Sequence, residues 1–170
     1  AGELDNTLVI VSGDHGIPGV PRGKTTCYDL GTRVPLLLRW PTAIKAGRHV
    51  DDFVSVMDIG PTLIELANAD APSMDGRSFM KQLASSESGW IVPMRNEVVI
   101  GRELHVQDSR AGNVPYPVRA SRATTHLYVR NFKPERWPMG DPYQSAQMTS
   151  PGELYNTGLA TSPAYRDLDG

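Results

Sequence analysis

The sequence predicts an α/β fold. A short apolar run, residues 8–12, ends in Gly13-Asp14-His15-Gly16. A second apolar run, 34–40, follows after one loop, and residues 59–67 then carry apolar side chains at helical spacing. Strand, loop, strand and helix in that order over residues 5–70 are expected at the edge of a larger, mostly parallel sheet.

Each element has a local reason. Thr7–Gly16 reads TLVIVSGDHG, and Leu8 to Ser12 is predicted as a short buried strand that breaks at Gly13. The C-terminal end of such a strand opens into a crevice, where a glycine-flanked turn holds out side chains. Asp14 offers a hard, charged oxygen and His15 an imidazole nitrogen, so the pair suits a metal ion. An Asp-His dipeptide alone is commonplace and solvated; here the preceding strand and the flanking glycines give it weight. Lys24 follows in a glycine-bearing loop and would bring a fixed positive charge towards an anionic ligand.

In the second strand, Pro35 sits at the start, where a missing N–H is tolerated, and Arg39 near the end. Ser55 and Asp58 have capping-box spacing, with Pro61 in the first turn. Ile59, Leu63, Leu66 and Ala67 then mark an amphipathic helix facing a core. Asp51-Asp52 precede that cap and are expected in a solvated turn. His49 and His126 are expected at the surface or a strand edge. A turn at Met74–Arg77 leads into a short helix around 78–84, and 96–101 is a strand. Residues 118–123 and 126–132 are predicted as a hairpin about Thr124-Thr125, although that turn lacks Asn-Gly chemistry. Irregular structure is expected from Lys133 onwards.

Composition narrows the functional classes. The chain has 170 residues and a formal net charge of -2, which gives no case for nucleic acid or an anionic membrane surface. No apolar run approaches the length of a membrane span. The single cysteine, Cys27, allows no internal disulfide and says nothing of the redox compartment.

Taken together, these blocks resemble a known family. Lys24-Thr25-Thr26-Cys27-Tyr28-Asp29-Leu30-Gly31-Thr32-Arg33-Val34-Pro35 is similar to a block close to K-G-x-x-Y-E-G-G-x-R-V-P. Asp stands for Glu and Leu for the first Gly of the pair. With the SGDHG turn before it, and Trp40-Pro41, Ser55, Asp58, Pro61-Thr62-Leu63 and Glu65-Leu66-Ala67 after it, the order resembles the C-terminal part of the catalytic domain of type I, formylglycine-dependent sulfatases. Gly101–Pro142, with VRASRATTHLYVRNF inside it, resembles the branch that includes heparan N-sulfatase.

The resemblance implies the C-terminal part of an alkaline-phosphatase/sulfatase-like mixed sheet sandwiched by helices, with a loop-rich C-terminal subdomain containing β-structure. Residues 1–93 would belong to the former and 94–170 to the latter. It implies hydrolysis of sulfate esters or sulfamates on a sulfated small molecule or glycan. Asp14 and His15 would be ligands of one Ca²⁺; an imidazole is softer than Ca²⁺ usually selects, and the alternative for His15 is a hydrogen bond to the nucleophile or the sulfate. Lys24 would be a catalytic and sulfate-binding lysine, with Arg22 as the alternative two residues away. His105, beside Arg102 and Glu103, would contact substrate. Arg33 is expected to be structural and to pair with Asp29. The nucleophile, a formylglycine made in a C/S-x-P-x-R motif, is expected upstream, because Cys27 has neither that Pro nor that Arg.

The chain is therefore expected to be a fragment of a longer enzyme, inactive alone and weakly stable or self-associating without the missing N-terminal part. The resemblance places it in a periplasmic, extracellular or lysosomal compartment. Two other classes stay open. One is a phosphatase or phosphodiesterase of the alkaline phosphatase superfamily; the other is a non-catalytic domain that binds sulfated glycans. The upstream sequence would discriminate them.

Overall fold

The apolar runs form strands, but shorter and less covered ones than their composition suggests. The computed structural model describes residues 2–18 and 20–136. These residues are mixed α/β and group into two compact units.

The first unit takes residues 2–11 and 36–98. Strands β1 (Val9–Ser12) and β2 (Leu36–Arg39) form a two-stranded sheet. The expected buried strand at Leu8–Ser12 is corrected here. β1 begins at Val9, its first two residues are half-buried, and Val11 is 53% exposed. Two strands among the described residues are too few to cover both faces of a sheet, and alternate residues of β2 are likewise exposed.

After β2 the chain reaches Ser55, whose side chain accepts from the Met57 N–H, while Asp58 accepts from the Ser55 N–H. This is the predicted capping box, formed around a 3₁₀ turn (Val56–Asp58) that runs into α2 (Ile59–Leu66); the one-turn helix α1 (Asp29–Thr32) belongs to the other unit. The buried side of α2 differs from expectation. Leu63 is exposed, and Thr62 is the buried residue. Its hydroxyl donates to the Asp58 carbonyl at 2.5 Å and accepts from the Phe79 N–H at 3.0 Å. Phe79 precedes α3 (Met80–Ala84), and Phe79 and Leu83 are the buried apolar residues of this unit.

Charge rather than apolar volume holds the rest of the unit. Arg95 and Asp58 are both buried and paired, Nη1 to Oδ2 at 2.8 Å. Arg95 Nη2 also donates to the carbonyls of Arg77 and Ser78, at 2.5 and 2.7 Å. Asp52 is not in a solvated turn, as the sequence led one to expect, but buried. It accepts from Gln82 Nε2 and from the N–H groups of Ile91 and Val92, each at 2.7 Å. Desolvating a carboxylate is costly, and three donors offset that cost. His49 stays exposed, 3.1 Å from Asp51.

The second unit takes residues 12–35 and 99–136. Its sheet has the order β3-β4-β5, from β3 (Glu97–Arg102), β4 (Val118–Ala123) and β5 (Leu127–Asn131). β4 and β5 form the predicted antiparallel hairpin, in register Val118↔Asn131 to Arg122↔Leu127. The core is Cys27, Tyr116, Val118 and Ala120, with Ile100, Leu127 and Val129 packed on it. The expectation for the tail lies, beyond residue 136, outside the described residues.

Candidate functional site

Three glycines set the path of residues 13–32. The Gly16 N–H donates to the Gly31 carbonyl at 3.1 Å, and the Ile17 N–H to the Leu30 carbonyl at 2.9 Å. The Lys24 N–H returns to the Ile17 carbonyl at 2.8 Å. A Cβ on Gly16 would collide with the backbone of Leu30 and Gly31, one on Gly23 with Ile17, and one on Gly31 with Gly23 and Thr26. Backbones approach this closely only where no side chain intervenes. Lys24 is therefore tied, through Ile17, to a point two residues after His15. Gly16→Ala is expected to destabilise the second unit by about 2–4 kcal/mol, as for other backbone-overlap substitutions. Thermal unfolding checks this; an unchanged midpoint would contradict the packing described.

Lys24 is flanked by two residues in the left-handed region, Arg22 at φ 58° and Thr25 at φ 77°. A β-branched residue there is a true outlier. The Thr26 hydroxyl holds the turn, lying 2.8 Å from the Arg22 carbonyl and 2.7 Å from that of Gly23. Strain held by surrounding bonds is a mark of functional loops. The Lys24 ammonium has no ion pair among the described residues.

Asp14 and His15 follow β1 directly. The Asp14 side chain is 90% exposed, with Oδ1 3.7 Å from His15 Nε2. His15 Nδ1 lies 2.8 Å from the Gly16 carbonyl. A carbonyl only accepts, so Nδ1 is the donor in that bond, and Nε2 is the ring nitrogen that lies beside Asp14. A cation bound at about 2.3–2.6 Å has neighbouring ligands about 3.3–3.7 Å apart, so these two donors fit adjacent positions on one ion. Among the described residues no third carboxylate, imidazole or thiol joins them. Asp14 and His15 thus present two donor atoms side by side on this turn.

Cys27 is unsuited to nucleophilic chemistry. It is 5% exposed in the second unit's core, and burial pushes its thiol up, against the opposing influence of Arg102 and Arg119. Burial also brings the Arg102 guanidinium down to about 10. His105 is exposed just past the end of β3, where Glu103 pairs with Arg119.

The expected Arg33–Asp29 pair is not formed. Arg33 is exposed; its backbone N–H donates to the Asp29 carbonyl at 2.8 Å, and its guanidinium acts on the Asp29 carboxylate only through the field of its charge, without an ion-pair contact. The carboxylate instead takes both arms of Arg122, at 2.8 and 3.0 Å. A bidentate guanidinium satisfies both oxygens, which a residue at the adjoining helix end does not. The hydrogen bond from Arg122 holds the Asp29 carboxyl below its usual range. This pairing, 93 positions apart, has no local sequence signal.

Comparison with known proteins agrees with these blocks. The sulfatase family model matches residues 1–69. An ulvan-active sulfatase of Formosa agariphila is 33% identical over 133 residues, covering 75% of this chain and 24% of that protein. Human N-sulphoglucosamine sulphohydrolase is 30% identical over 183 aligned positions, covering 99% of this chain and 34% of that protein. Among solved structures, a protein in complex with its substrate D-glucosamine-2-N,6-O-disulfate matches at a TM-score of 0.49 and 20% identity, over 99% of this chain and 36% of that one. The chain thus spans about a quarter to a third of the length of these two curated relatives. Family match and relatives agree that the chain belongs to the sulfatase family.

Proposed function

We propose that this chain supplies part of the active site of an enzyme that hydrolyses sulfate esters or sulfamates on sugars. The observation that carries the reading is the loop in which an Asp-His donor pair and a lysine without an ion pair are tied to one glycine-packed backbone. The substrate class is supported by the names of the relatives, one ulvan-active and one acting on N-sulphoglucosamine.

The chemistry follows from charge. A sulfate group carries a full negative charge on a tetrahedral centre. Its cleavage needs that charge offset, the leaving atom stabilised and a nucleophile delivered. Asp14 and His15 would hold a divalent cation, Ca²⁺ in this reading. When bound, the cation supplies positive charge against the sulfate oxygens. Lys24 binds a sulfate oxygen or the bridging atom as a point charge, and its hold strengthens as charge builds there. His105 contacts the sugar. The nucleophile, a formylglycine, lies outside this chain.

The test is substrate choice by the complete protein carrying this chain. Release of inorganic sulfate from N- or O-sulfated glucosamine is expected to exceed phosphate release from the matching phosphate ester by about 10²-fold or more in kcat/KM, about 3 kcal/mol of transition-state preference. The opposite preference would identify a phosphatase of related fold. Binding without turnover of either would identify a glycan-binding domain.

A further inference from the structure

The second unit has an open depression of about 380 Å³ that the proposed chemistry does not use. Arg22, Tyr28, Leu30, Arg122, Thr125 and Leu127 line it. Asp29 also lines it. Its volume lies at the small end of ligand sites, enough for one ring rather than an extended polymer.

The charges are unequal. Arg122 is committed to Asp29 through two hydrogen bonds. Arg22 is not so committed. Its guanidinium stacks on the Tyr28 ring, 4.8 Å from the centroid. Two guanidiniums against one carboxylate leave one positive charge in excess. Stacking fixes the plane of a guanidinium while leaving its N–H edge free for an anion. The Arg22 backbone is also pinned, since its carbonyl accepts from the Thr26 hydroxyl. The site is therefore organised before any ligand arrives, which limits the entropy lost on binding. Leu30, 49% exposed, and the half-buried Leu127 add apolar surface, and Thr125 a hydroxyl that also lies 2.7 Å from His126 Nδ1. Apolar wall, hydroxyl and fixed cation match a pyranose ring with C–H faces, hydroxyl edges and one anionic substituent.

We propose that this depression binds a sulfated or carboxylated sugar unit of an oligosaccharide, with Arg22 as the anion-selecting residue. The inference rests on the sulfated-sugar reading above and extends it from a single residue to an oligosaccharide.

The test is calorimetric titration of the complete protein with an N-sulfated glucosamine-containing tetrasaccharide and with its N-acetylated counterpart. Arg22→Ala is expected to weaken binding of the sulfated tetrasaccharide about tenfold, as for loss of one charge-assisted hydrogen bond. Its preference over the N-acetylated form is expected to shrink to the same degree. Tyr28→Leu, which removes the stacking platform, is expected to weaken binding severalfold, and Arg22→Lys to recover only part of the affinity. Circular dichroism confirms that each variant is folded. Equal affinity in wild type and Arg22→Ala, or no preference for the sulfated form in wild type, overturns the proposal. If binding depends on Arg22 but no sulfate is released, the hydrolytic reading fails while this site stands.

Discussion

Lys24→Ala in the complete protein is expected to lower kcat by about 10²-fold, the usual loss when one preorganised donor to a developing charge is removed. KM is expected to rise by much less, because the contact strengthens as charge builds on the bridging atom. The structure supports this in two ways. The Lys24 backbone is bonded to Ile17 at 2.8 Å, close after the Asp14-His15 pair, and no ion pair occupies its ammonium among the described residues. Lys24→Arg is expected to rescue in part, since a planar fork does not replace a point charge. Arg22→Ala is expected to act on KM for oligosaccharides rather than on kcat. Steady-state kinetics on a sulfated monosaccharide and a sulfated tetrasaccharide separate the two residues. A silent Lys24→Ala, with the loss of kcat falling on Arg22→Ala, would shift the register of the loop by two.

Asp58→Ala is expected to have the largest effect on stability, about 3–5 kcal/mol, as for other buried ion pairs broken by removing one partner. Asp58 does three things at once. It neutralises Arg95 at 2.8 Å, accepts the Ser55 N–H at 3.1 Å as the start of a helix cap, and accepts the Arg77 N–H at 2.7 Å. Removing it leaves a buried guanidinium and two backbone donors without acceptors. Urea unfolding followed by tryptophan fluorescence reads this out, since Trp40 and Trp90, two of the three tryptophans, belong to the first unit. A midpoint within error of wild type would mean that solvent reaches Arg95 freely.

What can be read from the chain is what is local. The Ser55–Asp58 cap spans three positions and the β4–β5 hairpin about a dozen, so residue type and spacing predict both. The approximate positions of β1, β2, β3, α2 and α3 also follow from residue pattern, whereas the one-turn helix α1 does not. Burial does not follow from them. Val11 and Leu37 are apolar yet exposed, because apolarity says that a strand can be covered and not that anything covers it. Asp52, Arg95 and Arg122 are the residues the sequence hides. Their partners named above lie between 17 and 93 positions away, and an acidic or basic residue in a polar stretch looks solvated unless its partner is known.

The candidate site divides in the same way. Asp14, His15 and Lys24 are legible because their chemistry and their glycines stand in one short stretch. Which ring nitrogen of His15 lies beside Asp14 is not, since the other is taken by the Gly16 carbonyl. Nor is the left-handed backbone at Arg22 and Thr25, residue types that do not advertise positive φ.

The central claim is that the turn after β1 holds a cation for sulfate chemistry. Calcium titration of the complete protein by calorimetry, wild type against Asp14→Ala, tests it most directly. Asp14 is 90% exposed, so its loss is expected to leave the fold and the circular dichroism spectrum unchanged. Calcium affinity is expected to fall by about tenfold or more, because a charged ligand is removed, and sulfate release to fall below detection. Asp14→Ala that binds calcium and releases sulfate as wild type does would contradict the assignment.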